Sequence, residues 1–253
     1  MSLSFGLRDA KDRRNPPFLA SVEDEHDGCL AVCMTPPRNL VIASVDGVDE
    51  EAASALIVAD LHKHNWSVPG VLGPAQTAES FARAWQKQSG KPYREEMSHR
   101  VFELRQVLPP SRVPGHLQLA EEKDLELVDG WMQAFYQEAL PKEKAESLAQ
   151  EASARVAKRE VYLWQLPTGQ YVTMAAKTRP LAHGISISLV YTPPALRGKG
   201  YASNCVAALS ELLLKSGWQW CSLFTDLSNP ISNSIYQKIG YRPVCDFTEY
   251  LLY

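Results

Sequence analysis

A chain of 253 residues is long enough for one large domain or two of ordinary size, and its 45% hydrophobic content supports packed cores rather than disorder. Its 26 basic and 29 acidic side chains leave a net charge of −3, so no global field favours nucleic acid or an anionic membrane. No stretch approaches the ~18 apolar residues of a membrane span and the opening residues, Met1 to Arg14, lack a long apolar core, which predicts a soluble, cytoplasmic protein.

Alternation of apolar and polar residues predicts a hairpin from Phe18–Val22 and Cys29–Thr35, then a third strand over Leu40–Val45. Helices are expected over Glu50–His64 and Thr77–Gln88, the second carrying Phe81 and Trp85. Leu108 to Gly115 packs three prolines and a glycine into eight residues, which no helix interior or central strand tolerates, and marks a boundary at 112/113. Beyond it the pattern predicts a strand over Gly115–Ala120. Helices follow over Asp124–Glu138 and Lys142–Lys158, then a hairpin of Val161–Leu166 and Tyr171–Ala176 around Pro167–Gln170. A strand over Gly184–Tyr191 leads into a helix over Gly200–Ser216 with Cys205, Leu209, Leu212 and Leu213 facing inward and Gly217 as its stop. A strand over Trp220–Thr225, a helix from Pro230 to Gly240 and a terminal strand complete the chain.

The corner between the Gly184–Tyr191 strand and its helix reads Arg197-Gly198-Lys199-Gly200-Tyr201-Ala202. Glycines there permit a sharp turn and a close backbone approach, and the first helical turn adds unpaired N–H donors, so the corner suits a pyrophosphate. One helix and one strand later comes Asn229-Pro230-Ile-Ser-Asn233-Ser-Ile-Tyr236. Together the two segments resemble the coenzyme A-binding half of the GNAT acyltransferases, in which an arginine-glycine corner cradles the pyrophosphate and a later helix carries an asparagine followed seven residues on by a tyrosine. The fold class this implies is mixed α/β, a sheet flanked by helices. Residues 113–253 would form a complete acetyltransferase core, able to bind acetyl-CoA alone if it stays folded, and residues 1–112 a partial, degenerate copy without the opening helices.

The resemblance further implies that the backbone of Val190 and Thr192 pairs with the pantetheine arm, that splayed strands leave that edge open, and that Gly198, Lys199, Gly200, Tyr201 and Ala202 supply amides to the pyrophosphate. Arg197 adds charge there or lies on the surface, and Lys199 contacts phosphate or solvent. Asn229, Asn233 and Tyr236 fall on one helical stripe facing the thiol end, with Tyr236 as the acid for the departing thiolate or a half-buried packing residue. The strand before the corner offers only Ser186 and Ser188, so the general base is Asp226, Glu249, the terminal carboxylate at Tyr253 or a water.

In the first half the corresponding corner reads Asp46-Gly-Val-Asp49-Glu50-Glu51, four carboxylates that would repel a pyrophosphate. Five scattered cysteines without a Cys-x-x-Cys pair, and histidines without ligand spacing, predict reduced core thiols and no metal. The expected activity is transfer of acetyl from acetyl-CoA to a small primary amine; the alternative is an acyl-CoA-binding or regulatory module without turnover.

Overall fold

The computed structural model describes residues 17–23, 28–45, 47–139 and 148–253. Asp46 and the opening of the helix predicted from Lys142 lie outside the described residues. By compactness the chain divides into two units. The first runs to Val101 and also takes in Thr225–Asn229 and Val244–Tyr253; the second comprises Phe102–Phe224 and Pro230–Pro243. The proline-rich stretch falls inside the second unit. There it is tied down: Leu108 N donates to Ile239 O at 2.9 Å and Trp164 Nε1 to Pro114 O at 2.9 Å.

In the first unit, β1 (Phe18–Glu23) and β2 (Cys29–Met34) form an antiparallel hairpin that continues antiparallel into β3 (Leu40–Ser44). A parallel step to β4 (Gly70–Pro74) needs a crossover, supplied by α1 (Glu50–Lys63). Helix α2 (Ala75–Ser89) follows, and β5 begins at Tyr93 and ends at Leu104. The alternation Leu30, Val32, Met34 on β2 meets Ile57, Val58 and Leu61 of α1 and Phe81 and Trp85 of α2 in one core. The strand that pairs with β4 comes from the far end of the chain: β11 (Arg242–Leu252) lies antiparallel to it, Phe247 opposite Pro74 and Leu251 opposite Gly70. Tyr250 and Leu252 complete this core.

The second unit orders β6 (His116–Leu119), β7 (Val161–Gln165) and β8 (Tyr171–Thr178) antiparallel with β9 (Gly184–Tyr191), and sets β10 (Trp220–Asp226) parallel to β9. Helices α3 (Leu125–Ala139) and α4 (Leu148–Ala157) cover one core, containing Val128, Met132, Leu163 and Met174. Helix α5 (Tyr201–Lys215) covers the other through Cys205, Val206, Leu209 and Leu213, with Phe102, Leu104, Ile185, Leu223 and Ile239. Helix α6 (Pro230–Lys238) precedes β11.

Two expectations are corrected. Leu212 is 44% exposed rather than inward, because the buried stripe of α5 centres on Val206, Leu209 and Leu213, roughly a quarter-turn away. Strands β4 and β5 were absent from the sequence pattern: Gly-Val-Leu-Gly-Pro is too short and glycine-rich to alternate, and β5 opens with the charged run Arg94-Glu95-Glu96. With β4 and β5 in place the element order β1-β2-β3-α1-β4-α2-β5 repeats as β7-β8-β9-α5-β10-α6-β11. Among the described residues the first half has no counterparts of β6, α3 and α4.

A chain starting at residue 113 would lose Phe102 and Leu104, 0% and 1% exposed in the α5 core, and the β4 partner of β11. Deleting one buried phenylalanine side chain costs about 3–5 kcal/mol. Residues 113–253 alone are therefore expected to show no cooperative thermal transition by circular dichroism, whereas the full chain does.

Candidate active site

Strand β9 is irregular near its C-terminal end. Met174 pairs with Tyr191 and Ala176 with Ser188, so Leu189 and Val190 together oppose the single residue Ala175. Leu189 sits at φ 51°, a left-handed conformation that is strained for a branched residue. The bulge reverses the facing of the strand: Ile185 and Ile187 pack under α5, whereas Leu189 and Tyr191 pack under α3 and α4. A bulge of this kind leaves the extra residue unpaired in the ladder.

On its other side β9 pairs with β10 only over Gly184–Ser186 against Trp220–Ser222, the last rung closed by a buried Ser186–Ser222 hydroxyl hydrogen bond of 2.8 Å. Beyond it the two strands part, so the β9 edge from Ile187 to Tyr191 has no β10 partner among the described residues. Val190 lies in this stretch and Thr192 just past its end. Thr192 is held by its hydroxyl donating to Thr173 Oγ1 at 2.8 Å, and Thr173 in turn donates to Tyr191 O at 2.7 Å.

The corner then turns through a 3-10 turn, Pro194–Leu196, before α5 starts at Tyr201. Gly198 and Gly200 have φ of 77° and 79°, and a Cβ on Gly198 would meet nothing within 4 Å. Two left-handed glycines on either side of Lys199, beside an open helix N-terminus, could accommodate an anion such as a pyrophosphate, with amides from Gly198 to Ala202 as donors. Lys199 is exposed at the tip. Arg197 takes a different role: its Nε donates to Thr192 O at 2.8 Å, its guanidinium pairs with Glu138 of α3 at 2.7 Å, and it lies 5.7 Å from the centre of the Tyr191 ring. Arg197 thus clamps the corner to α3. Asn204, 9% exposed, uses one amide to donate to Ser111 O at 2.9 Å and Gly200 O at 3.0 Å, bracing the helix start against the proline-rich stretch.

Tyr236 is half-buried. Its ring stands edge-on to Tyr241 at 5.9 Å and tilted to Phe102 at 6.5 Å. Val190, Tyr201 and Tyr236 all pack against the α5 core, so the open edge, the corner and the phenol share one support. Burial pushes the Tyr236 phenol well above its ordinary value, with the neighbouring Cys205, itself pushed up to about 12 by burial, adding to the shift. Asn233 is half-buried on the same helix; Asn229, just before it, is exposed and belongs to the first unit. Of the base candidates, Glu249 accepts from Asn39 Nδ2 at 2.6 Å and Asp226 from Ser228 N at 2.7 Å. Leu189, Thr173, Glu138 and Asn204 were not found in the sequence: a bulge at leucine has no local signature, and the other three act through partners 19 to 93 residues away.

In the first unit, Asp49 caps α1 by accepting from Ala52 N at 3.0 Å, and Glu50 accepts from Ser44 and Thr77 at 2.6 and 2.7 Å. Carboxylates thus already occupy that helix start. Titration of the full chain with acetyl-CoA by calorimetry is expected to give a stoichiometry near one; a value near two would assign the first unit a site. Among the described residues no group of three or more His, Cys, Asp or Glu side chains could hold a metal, and no helix is long and apolar enough to cross a membrane.

Residues 168–251 match the family model of FR47-like proteins. No curated protein matches the chain. Among solved structures, the GCN5-related N-acetyltransferase of Sphaerobacter thermophilus superposes with a TM-score of 0.65 at 15% identity, over 98% of this chain and 84% of its own. The GCN5-related N-acetyltransferase of Kribbella flavida gives 0.63 at 14%, over 99% and 93%. A tandem GNAT protein from the clavulanic acid biosynthesis pathway gives 0.56 at 13%, over 98% and 86%. The chain has the GNAT fold.

Proposed function

We propose that this GNAT-fold chain is an acyl-CoA-dependent N-acyltransferase that moves acetyl from acetyl-CoA to a primary amine by direct attack. The observation that carries the reading is the unpaired β9 edge ending in the two-glycine corner. When bound, acetyl-CoA supplies a thioester and a thiolate leaving group. Val190 and Thr192 would offer backbone groups along the open edge to orient the pantetheine arm, and a backbone amide near the bulge would donate to the carbonyl oxygen. Gly198 to Ala202 donate to the pyrophosphate. Tyr236 keeps its proton at neutral pH and donates it, as a hydrogen bond, to the departing sulfur. Its raised pKa makes full transfer less favourable than an ordinary phenol would allow, so its role is stabilising charge on sulfur. Asn233, on the helix of Tyr236, would complete the thiol end. Residues 113–253 carry these groups, and residues 1–112 bind no cofactor in this reading.

Release of free thiol from acetyl-CoA in the presence of a panel of amines tests the proposal. The alternative, an acyl-CoA-binding module without turnover, predicts saturable binding by calorimetry and no amine-dependent thiol release. Absence of binding would overturn both.

A further inference from the structure

Strand β9 reaches the corner with little main-chain support behind it. Between the bulge and the end of the strand its register with β8 holds one rung, Met174 opposite Tyr191, and none continues to Thr192 among the described residues. Leu189 at φ 51° places strain at the bulge, and a single rung fixes register weakly. What holds the strand end is a pair of hydroxyls. Thr173 of β8 is 0% exposed, and its neighbours Val172, Met174 and Ala175 all belong to apolar cores. Its Oγ1 donates to Tyr191 O at 2.7 Å, and because a carbonyl oxygen can only accept, the one hydroxyl proton of Thr173 is committed there. Thr192 is then the donor of the 2.8 Å bond to Thr173, so the chain runs one way, from Thr192 through Thr173 to the Tyr191 carbonyl. A buried hydroxyl is costly unless bonded, and valine would fill the same place on a strand without that cost. The apolar core gives no reason for a threonine here; the strand end does. Arg197 also grips Thr192 O, but its side chain is 46% exposed and its pairing with Glu138 is weakened by solvent. The tie through Thr173 is the buried one.

We propose that Thr173 is a positioning residue for the acyl donor: by tying Tyr191 and Thr192 to β8 it holds the backbone of Val190 and Thr192 in register for the pantetheine arm. Being fully buried, it acts through the strand and not by contact with the cofactor. The proposal rests on the coenzyme A reading above. It treats the two parts of the donor differently. The arm is served by the β9 edge, which depends on the tie to β8. The pyrophosphate is served by amides from Gly198 to Ala202, whose geometry comes from the two left-handed glycines and the start of α5. An edge already in its binding geometry need not be ordered when the arm arrives, so loss of the tie weakens the arm's share of binding alone.

The test uses the full chain and calorimetry with two ligands, acetyl-CoA and ADP, the second carrying the pyrophosphate without the arm. Thr173→Val keeps the branched shape and removes the hydroxyl relay, whereas Thr173→Ser keeps the hydroxyl. Thr173→Val is expected to weaken acetyl-CoA binding by about tenfold and to leave ADP affinity within about twofold of the parent. Thr173→Ser is expected to bind both ligands like the parent. Unchanged acetyl-CoA affinity in Thr173→Val overturns the proposal, as does an equal loss in Thr173→Ser. An equal loss of both ligands in Thr173→Val also overturns it, since the threonine would then support the fold at large and not the arm. A parent that binds acetyl-CoA but not ADP overturns the division between arm and corner on which the proposal stands. Failure of the parent to bind acetyl-CoA at all would instead overturn the coenzyme A reading itself.

Discussion

Gly200→Asp is expected to weaken acetyl-CoA binding by about 10²-fold or more while leaving the protein folded. A carboxylate at the corner would stand close to the pyrophosphate. At ~4 Å, two unit charges near a protein surface repel by about 4 kcal/mol, and every ~1.4 kcal/mol is tenfold in affinity. The same carboxylate at a helix start stabilises the helix by about 0.3–1 kcal/mol, which offsets part of the ~1–2 kcal/mol cost of a side chain in the left-handed region at φ 79°. The added Cβ would approach Val113 Cγ1 at 3.3 Å, a contact a side-chain end can relieve. Gly200→Asn is the control, since it has the same shape and backbone demand without the charge. If calorimetry finds Asp and Asn equally harmful, sterics decide and the anion site is wrongly placed; if Asp binds like the parent, the coenzyme A reading fails.

The corner was legible because its chemistry is local: two glycines, a strand before and a helix after are contiguous in the chain. Tyr236 can be nominated from the sequence for the same reason, seven residues after Asn229, which directly precedes its helix. What the sequence could not reveal depends on distant pairing. Arg197 stands in the motif beside the anion donors, yet its guanidinium is committed to Glu138, 59 residues earlier. The bulge at Leu189 needs the β8 register to be seen, and the parting of β9 and β10 needs the pairing to stop at Ser186. The pairing of β11 with β4 joins segments about 175 residues apart, and no periodicity within either strand encodes it. The first-half corner shows the reverse case. There Asp49, Glu50 and Glu51 were read as repulsive charges, and the fold gives Asp49 and Glu50 a structural use at the start of α1.

Tyr236→Phe is expected to lower kcat by roughly 10²-fold with acetyl-CoA affinity little changed. The substitution keeps the ring that packs on Phe102 and Tyr241 and deletes only the hydroxyl, for which no hydrogen bond is found among the described residues, so the fold loses little. The pH dependence separates a donor from a packing residue. An ordinary phenol near 10 would begin to ionise within an alkaline assay range, and the donor would then be lost as pH rises through its pKa. Burial raises the Tyr236 pKa, so the protonated donor persists above pH 10 and contributes no alkaline limb below it. The parent and Tyr236→Phe should therefore differ by a constant factor across pH 7 to 9 in kcat. A factor that shrinks as pH rises within that window would mean that the phenol ionises there. A variant that turns over its best amine at the parent rate would make Tyr236 a packing residue, and the sulfur would then need another donor.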